Sequence, residues 1–142
     1  MCCRIFSILV TALAAAAGCN RTSFDVAPVH GVVTVDGKPL FQGKVMFAPV
    51  ATAENANPGK PGWGNIESDG AYRLTTFEKE DGAVVGEHWV TIVNSDEKLP
   101  AGVPKFARLM VPTKVTVSAG DDNSIDIKLT NEIIEENMED DR

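Results

Sequence analysis

From Val29 onward, apolar and polar positions alternate, and Gly, Pro, Asp or Asn interrupts the alternation every eight to twelve residues. A period of two sends successive side chains to opposite faces of a strand. "VHGVVTV" (Val29 to Val35) puts Val29, Gly31, Val33 and Val35 on one face. "DGKPL" (Asp36 to Leu40) supplies a turn, because Asp-Gly accepts the positive φ of a tight hairpin. "GKVMFAP" points Val45 and Phe47 inward. "GNIESDGAYRLTT" reads as a second hairpin around Ser68-Asp69-Gly70, with Ile66, Tyr72 and Leu74 as core candidates. "GEHWVTIV" sets His88, Val90 and Ile92 on one face and Trp89, Thr91 and Val93 on the other. "TKVTVSAG" and "NSIDIKL" complete the set, with Ile125, Ile127 and Leu129 inward.

Seven short strands and no helix predict an all-β fold: a seven-stranded antiparallel β-sandwich over residues 28–130. A single sheet would leave its apolar face wet. Two segments stand outside the alternation. Ala48 to Trp63 is rich in Pro, Gly, Asn and Ala and reads as a long mobile loop. Ser95 to Pro112 carries Pro100, Pro104 and Pro112, which predicts an irregular crossing between sheets. Residues 131–142 hold only Ile133, Ile134 and Met138 as large apolar side chains, and are predicted to be a disordered acidic tail.

The first residues follow another pattern. Arg4 precedes thirteen mostly apolar residues, Ile5 to Ala17, as in a cleavable export signal over residues 1–18. Thirteen helical residues cover roughly 20 Å of a hydrocarbon core about 30 Å thick, too little to span it. Cys2, Cys3 and Cys19 are the only cysteines, so the mature chain has no disulfide framework. A chain of this length can bury a sufficient core without one.

Ala16-Ala17-Gly18-Cys19 resembles the lipobox of bacterial lipoproteins, with Ala16 where that family usually has Leu. The resemblance implies cleavage before Cys19 and diacylglycerol on its thiol. Residues 19–27 would then be a lipidated N-terminus and tether, holding the protein to a membrane of the cell envelope on its periplasmic or outer-surface side. Asn20 to Ala27 would reach at most about 26–29 Å. Ordinary signal cleavage within Ala14 to Ala17 is the plainer alternative.

"VHGVVTVDGKPLFQGKVMFAP", "GNIESDGAYRLTT" and "DGAVVGEHWVTIV" together resemble the transthyretin-like, carboxypeptidase regulatory-like domains of bacterial lipoproteins. "VDGKPL" is the sharpest element, and the likeness runs from about Val26 to Leu129. Departures are Ile66-Glu67 in place of Thr-Asp, His88 in place of an inward aromatic, and Val111-Pro112-Thr113 in place of a small-residue turn. What the family implies is a non-catalytic β-sandwich of unresolved function, often tethered at an envelope surface. The leading reading here is a module for protein-protein or structural contacts, with an envelope protein as partner.

Composition narrows the chemistry further. The net charge is −7, and five of those charges belong to residues 131–142, where six acids face Arg142 alone. Nucleic acid rewards clustered Lys and Arg, which the chain lacks. His30 and His88 are the only histidines, and parity sends His30 outward and His88 inward, so they should not converge. Inward His88 should be neutral and bonded through one ring nitrogen. Transthyretin-like purine-pathway hydrolases need convergent His and Arg and a hydroxyl-bearing C-terminal motif, unlike "NMEDDR". Glu78-Lys79-Glu80-Asp81 and Asp121-Asp122-Asn123 lack the staggered ligands of a calcium loop and read as turn chemistry. No Ser-His-Asp set, phosphate-cradling Gly loop or Cys/His metal spacing is present, so neither cofactor nor metal is expected. Trp63 and Trp89 remain. The plain reading packs each under a loop. The sharper one makes them, with the 48–63 loop, contacts for a glycan, another small ligand or a protein.

Overall fold

A computed structural model of the chain describes residues 23–94 and 99–140. The export signal, the lipobox and Cys19 lie outside the described residues. The described chain is mostly β, in several sheets, with one helix. Its strands are β1 (Val26–Ala27), β2 (Val29–Val35), β3 (Lys38–Pro39), β4 (Lys44–Pro49), β5 (Gly62–Asn65) and β6 (Ala71–Arg73). They continue as β7 (Ala83–Val84), β8 (Gly86–Val93), β9 (Arg108–Met110), β10 (Val115–Val117), β11 (Asn123–Ser124) and β12 (Ile127–Leu129), and the helix α1 (Asn131–Asp140) follows.

β2 is the middle of one sheet, with β11 and β12 along one side and β6 and β3 along the other. β8 and β4 are the middle of a second, with β5 beyond β4, and β9 and β10 sharing the far side of β8. β1 and β7 form a separate pair. The two large sheets share one apolar core. Phe47 of β4 and Tyr72 of β6 meet there, ring centres 6.1 Å apart. Val33, Val35, Val45, Phe47, Tyr72, Leu74, Val90, Ile92 and Ile127 are all buried, as the period-two reading expects. Asp36 and Gly37 turn the chain between β2 and β3 with φ of 47° and 79°, the twin positive values a two-residue hairpin demands.

The pairing of the last strands is different from the all-antiparallel expectation. β11 and β12 run parallel to β2. They follow β10 of the other sheet and reach β2 without a hairpin, so nothing forces them antiparallel. The run also breaks at Ile125-Asp126. The Ile125 carbonyl turns inward to accept the Tyr72 hydroxyl at 2.5 Å, the Asp126 carboxylate accepts the Val32 amide at 3.0 Å, and Ile125 is left half-buried rather than inward. Burial, reinforced by the charge of Asp126, raises the Tyr72 pKa, so the hydroxyl stays a donor.

Three more expectations change. The turn at Ser68-Asp69-Gly70 is present, with the Glu67 amide donating to the Ala71 carbonyl. Its arms, however, belong to different sheets: β5 pairs with β4 and β6 with β2, joined through the Trp63–Thr75 bridge. The described part of the proline-bearing segment does not cross between sheets. It returns to the β8 sheet as β9, with Phe106 and Leu109 buried. The tether is also shorter than predicted. Phe24 stacks on Phe77 at 5.9 Å, Lys60 lies over the same ring at 4.7 Å, and Val26–Ala27 pair with β7.

The acidic tail is not disordered through residue 140. Thr130 caps α1, its hydroxyl accepting the Ile133 amide and its carbonyl the Ile134 amide, both at 3.2 Å. Glu132 lies in the first turn, where its charge suits the helix dipole. Ile134 is fully buried, and Ile133 and Met138 pack beside it. Asn137 accepts the Met110 amide at 3.2 Å and so ties the helix to β9.

Candidate functional site

Directly opposed residues of neighbouring strands share a face of the sheet. In the β8 sheet that rule assembles one row on the outer face: Trp63 opposes Met46, Met46 opposes Thr91, and Thr91 opposes Met110. The next row sets Trp89 opposite Ala48. Trp63, Trp89 and Met110 are 43%, 38% and 49% exposed, so neither tryptophan is packed away under a loop. Lys114 approaches the Trp89 ring at 5.5 Å and pairs with Glu87 at 3.4 Å. A stripe with a charged margin thus crosses this face, exposed at Trp63, Trp89 and Met110, half-buried at Met46 and buried at Thr91.

Beyond Trp63 the surface opens into a groove of about 970 Å³. Its walls come from β2 and β6, with Ser124 and Asp126, and from β5 with Lys44 of β4. The Trp63–Thr75 bridge is where the two sheets meet within it. Lys44, Arg73 and Lys79 face into it together with Glu67, Glu80 and Asp126. Among the described residues none of these six is in an ion pair; Lys114 pairs with Glu87, and His30 Nε2 lies 3.3 Å from the Asp122 carboxylate.

The two tryptophans were legible in the sequence, whereas Lys44, Arg73 and Lys79 were not. Each is an ordinary outward position of its own strand or turn, and only the meeting of the sheets groups them. The 48–63 segment contributes less than expected. β4 runs on through Pro49, β5 begins at Gly62, and Trp63 is the segment's one residue in the groove.

The histidines do not converge. His30 lies on the groove wall, and His88 points into the core of the other sheet, 5.8 Å from Phe47. Nε2 of His88 donates to the Val84 carbonyl at 2.6 Å, and Nδ1 has no partner, the pattern of a neutral ring bonded through one nitrogen. The acid clusters close turns. Asp81 accepts the amides of Thr76, Phe77 and Glu78 at 2.7–2.9 Å. Partial burial works to raise its pKa, but these bonds outweigh it and hold the carboxyl below the usual range. Asn123 accepts the Ser118 amide at 2.8 Å and donates to the Ser118 carbonyl at 3.1 Å. Among the described residues no three His, Cys, Asp or Glu are grouped to hold a metal ion, and no helix is long and apolar enough to cross a membrane.

His88 makes stability depend on pH. Burial lowers its pKa, and the backbone of Val84 and of Phe47 only partly opposes this. Below the ordinary value of about 6.5 the unfolded chain takes up a proton that the folded chain refuses, so stability falls with pH from there down to the lowered value. Above about 6.5 the contribution is complete. The chain should melt lower at pH 5 than at pH 7.5. His88→Phe removes the donor to Val84 and should begin roughly 1–3 kcal/mol less stable, yet its melting point should change less between the two pH values. Thermal melts of both proteins check this; equal pH dependence would exclude His88 as the source.

Comparison with family models, with curated proteins and with solved structures finds no match to this chain.

Proposed function

We propose that this chain is an exported, non-catalytic module of the cell envelope, lipid-anchored through Cys19, whose sheets form a transthyretin-like sandwich used for binding. On this reading β2, β4, β5, β6, β8, β10 and the β11–β12 run are the seven principal strands, and the two large sheets are the layers. The observation that carries the binding role is the outer stripe, Trp63–Met46–Thr91–Met110 with Trp89 beside it. Trp63 and Met110 stand open at the two ends of that row, with Met46 half-buried and Thr91 buried between them, and exposed large apolar side chains sharing one face mark a contact surface. An envelope protein is the partner this stripe fits.

The anchor gives the stripe its setting. With Phe24 held on Phe77, five residue steps separate Cys19 from the packed domain, at most roughly 17–18 Å. A diacylated cysteine would keep the sandwich within that distance of the lipid surface. Two acyl chains anchor stably where one is marginal. Cys19→Ser should move the protein from the membrane fraction to the soluble one and leave its melting point unchanged, because Cys19 precedes every packed element. Fractionation and mass spectrometry of the N-terminus test it. Soluble wild type with an unmodified N-terminus, or a membrane-bound mutant, would refute the anchor. Substituting Trp89 or Met110 by Ser should then reduce recovery of the partner from detergent-solubilised envelopes, and unchanged recovery would refute the stripe.

A further inference from the structure

We infer that the groove beside Trp63 is a binding site for an uncharged oligosaccharide. The inference rests on the reading of the sandwich as a non-catalytic binding module and names a ligand for the groove that adjoins the stripe at Trp63. Three features select the chemistry. Trp63 offers an aromatic face that is 43% exposed at the groove wall, suited to the apolar face of a sugar ring. Around it stand three cationic and three anionic side chains: Lys44, Arg73 and Lys79 can only donate, and Glu67, Glu80 and Asp126 accept. Sugar hydroxyls do both. Among the described residues, Glu67, Glu80, Lys44, Lys79 and Arg73 have no ion-pair partner for their charged groups, so they are available to a ligand.

The same features disfavour other occupants. A polyanion needs an excess of positive charge, and the six groups balance. A lipid or other apolar ligand needs predominantly apolar walls, which this groove lacks. A peptide added as a strand needs a free sheet edge, and the facing edges of β5 and β6 are already joined to each other at Trp63–Thr75, where the Trp63 and Thr75 amides and carbonyls bond reciprocally. The groove's volume of about 970 Å³ is at the upper end of small-ligand sites, room for several sugar rings rather than one.

Isothermal titration calorimetry of the full-length chain in detergent tests it, with cellohexaose, xylohexaose and maltohexaose as uncharged probes and hexagalacturonate as the anionic one. At least one uncharged hexasaccharide should bind saturably. Trp63→Ala and Arg73→Ala should each weaken it tenfold or more, while Phe41→Ala, at an exposed aromatic outside the groove, should not. Arg73 is exposed, so its variant keeps the test valid if Trp63→Ala fails to fold. Binding of hexagalacturonate alone, no binding of any uncharged probe, or an equal loss in Phe41→Ala would overturn the site. Chromatography of the recovered sugar separates the two readings. Intact sugar supports both. Cleaved sugar would sink the non-catalytic reading and leave the site standing.

Discussion

Phe47→Ala should remove roughly 3–5 kcal/mol of stability, a large part of the 5–15 kcal/mol that holds a typical domain together. Phe47 is fully buried on β4, in the middle of its sheet. Its ring lies 6.1 Å from Tyr72 on the opposing sheet and 5.8 Å from His88 on its own. Truncation therefore opens a cavity between the sheets, in a place where backbone pairing on both sides of β4 prevents collapse. Met46→Ala, one residue along and half-buried on the outer face, should cost much less. Denaturant titrations of the two variants and the wild type measure the difference. Equal midpoints for Phe47→Ala and wild type would mean that the two sheets do not pack through this residue.

The alternation that singles out Phe47 was legible because one face of each strand meets the core and the other meets water, so the period of two survives in the sequence. Ile125 shows where that logic stops. It has the right parity, but the Ile125 carbonyl is drawn in by the Tyr72 hydroxyl, a contact across 53 positions that no local pattern records. The parallel pairing of β11 and β12 is hidden for the same reason: parity assigns a face and says nothing of a strand's direction. α1 escaped for a different cause. The tail was judged by how few apolar residues it has, whereas Ile134 and Met138 are four apart and share one helical face. Its cap, Thr130, lies one residue before the tail was taken to begin. β9 was masked by its prolines, although Arg108 to Met110 contains none.

The candidate site divides along the same line. Trp89 stood out as a large aromatic on the outward parity of its strand, and Trp63 as one at the end of a loop. Their membership in one exposed face depends on register: Trp63 opposite Met46, and Trp89 opposite Ala48. The groove is further from the sequence still. Lys44, Arg73, Lys79 and Asp126 come from four separate segments, brought together where β5 and β6 part into different sheets. The tether was misjudged because polar residues around Phe24 disguise a ring that stacks on Phe77.

Gly31→Ala should be among the most damaging single-methyl additions to this fold, costing about 3 kcal/mol or more and lowering the melting point by on the order of 10 °C. Gly31 sits mid-strand on β2 in an ordinary extended conformation, so backbone freedom is not what requires glycine there. Space is. A β-carbon at Gly31 would stand 2.0 Å from the Ile125 carbonyl oxygen and 2.6 Å from its carbon, and neither atom is a flexible side-chain end. That carbonyl is already fixed, because it accepts the Tyr72 hydroxyl while the Ile125 amide donates to the His30 carbonyl at 2.8 Å. Accommodating the methyl must push the β11–β12 run off β2 and break at least one of these bonds. Gly37 gives the contrast. Its φ is +79° but a β-carbon there meets nothing, so Gly37→Ala should cost only the left-handed strain of about 1–2 kcal/mol. Hydrogen exchange adds a local readout: in Gly31→Ala the Ile125 amide should lose protection ahead of the β4 and β8 amides. A Gly31→Ala protein as stable as Gly37→Ala would show that the Ile125 carbonyl does not lie over Gly31.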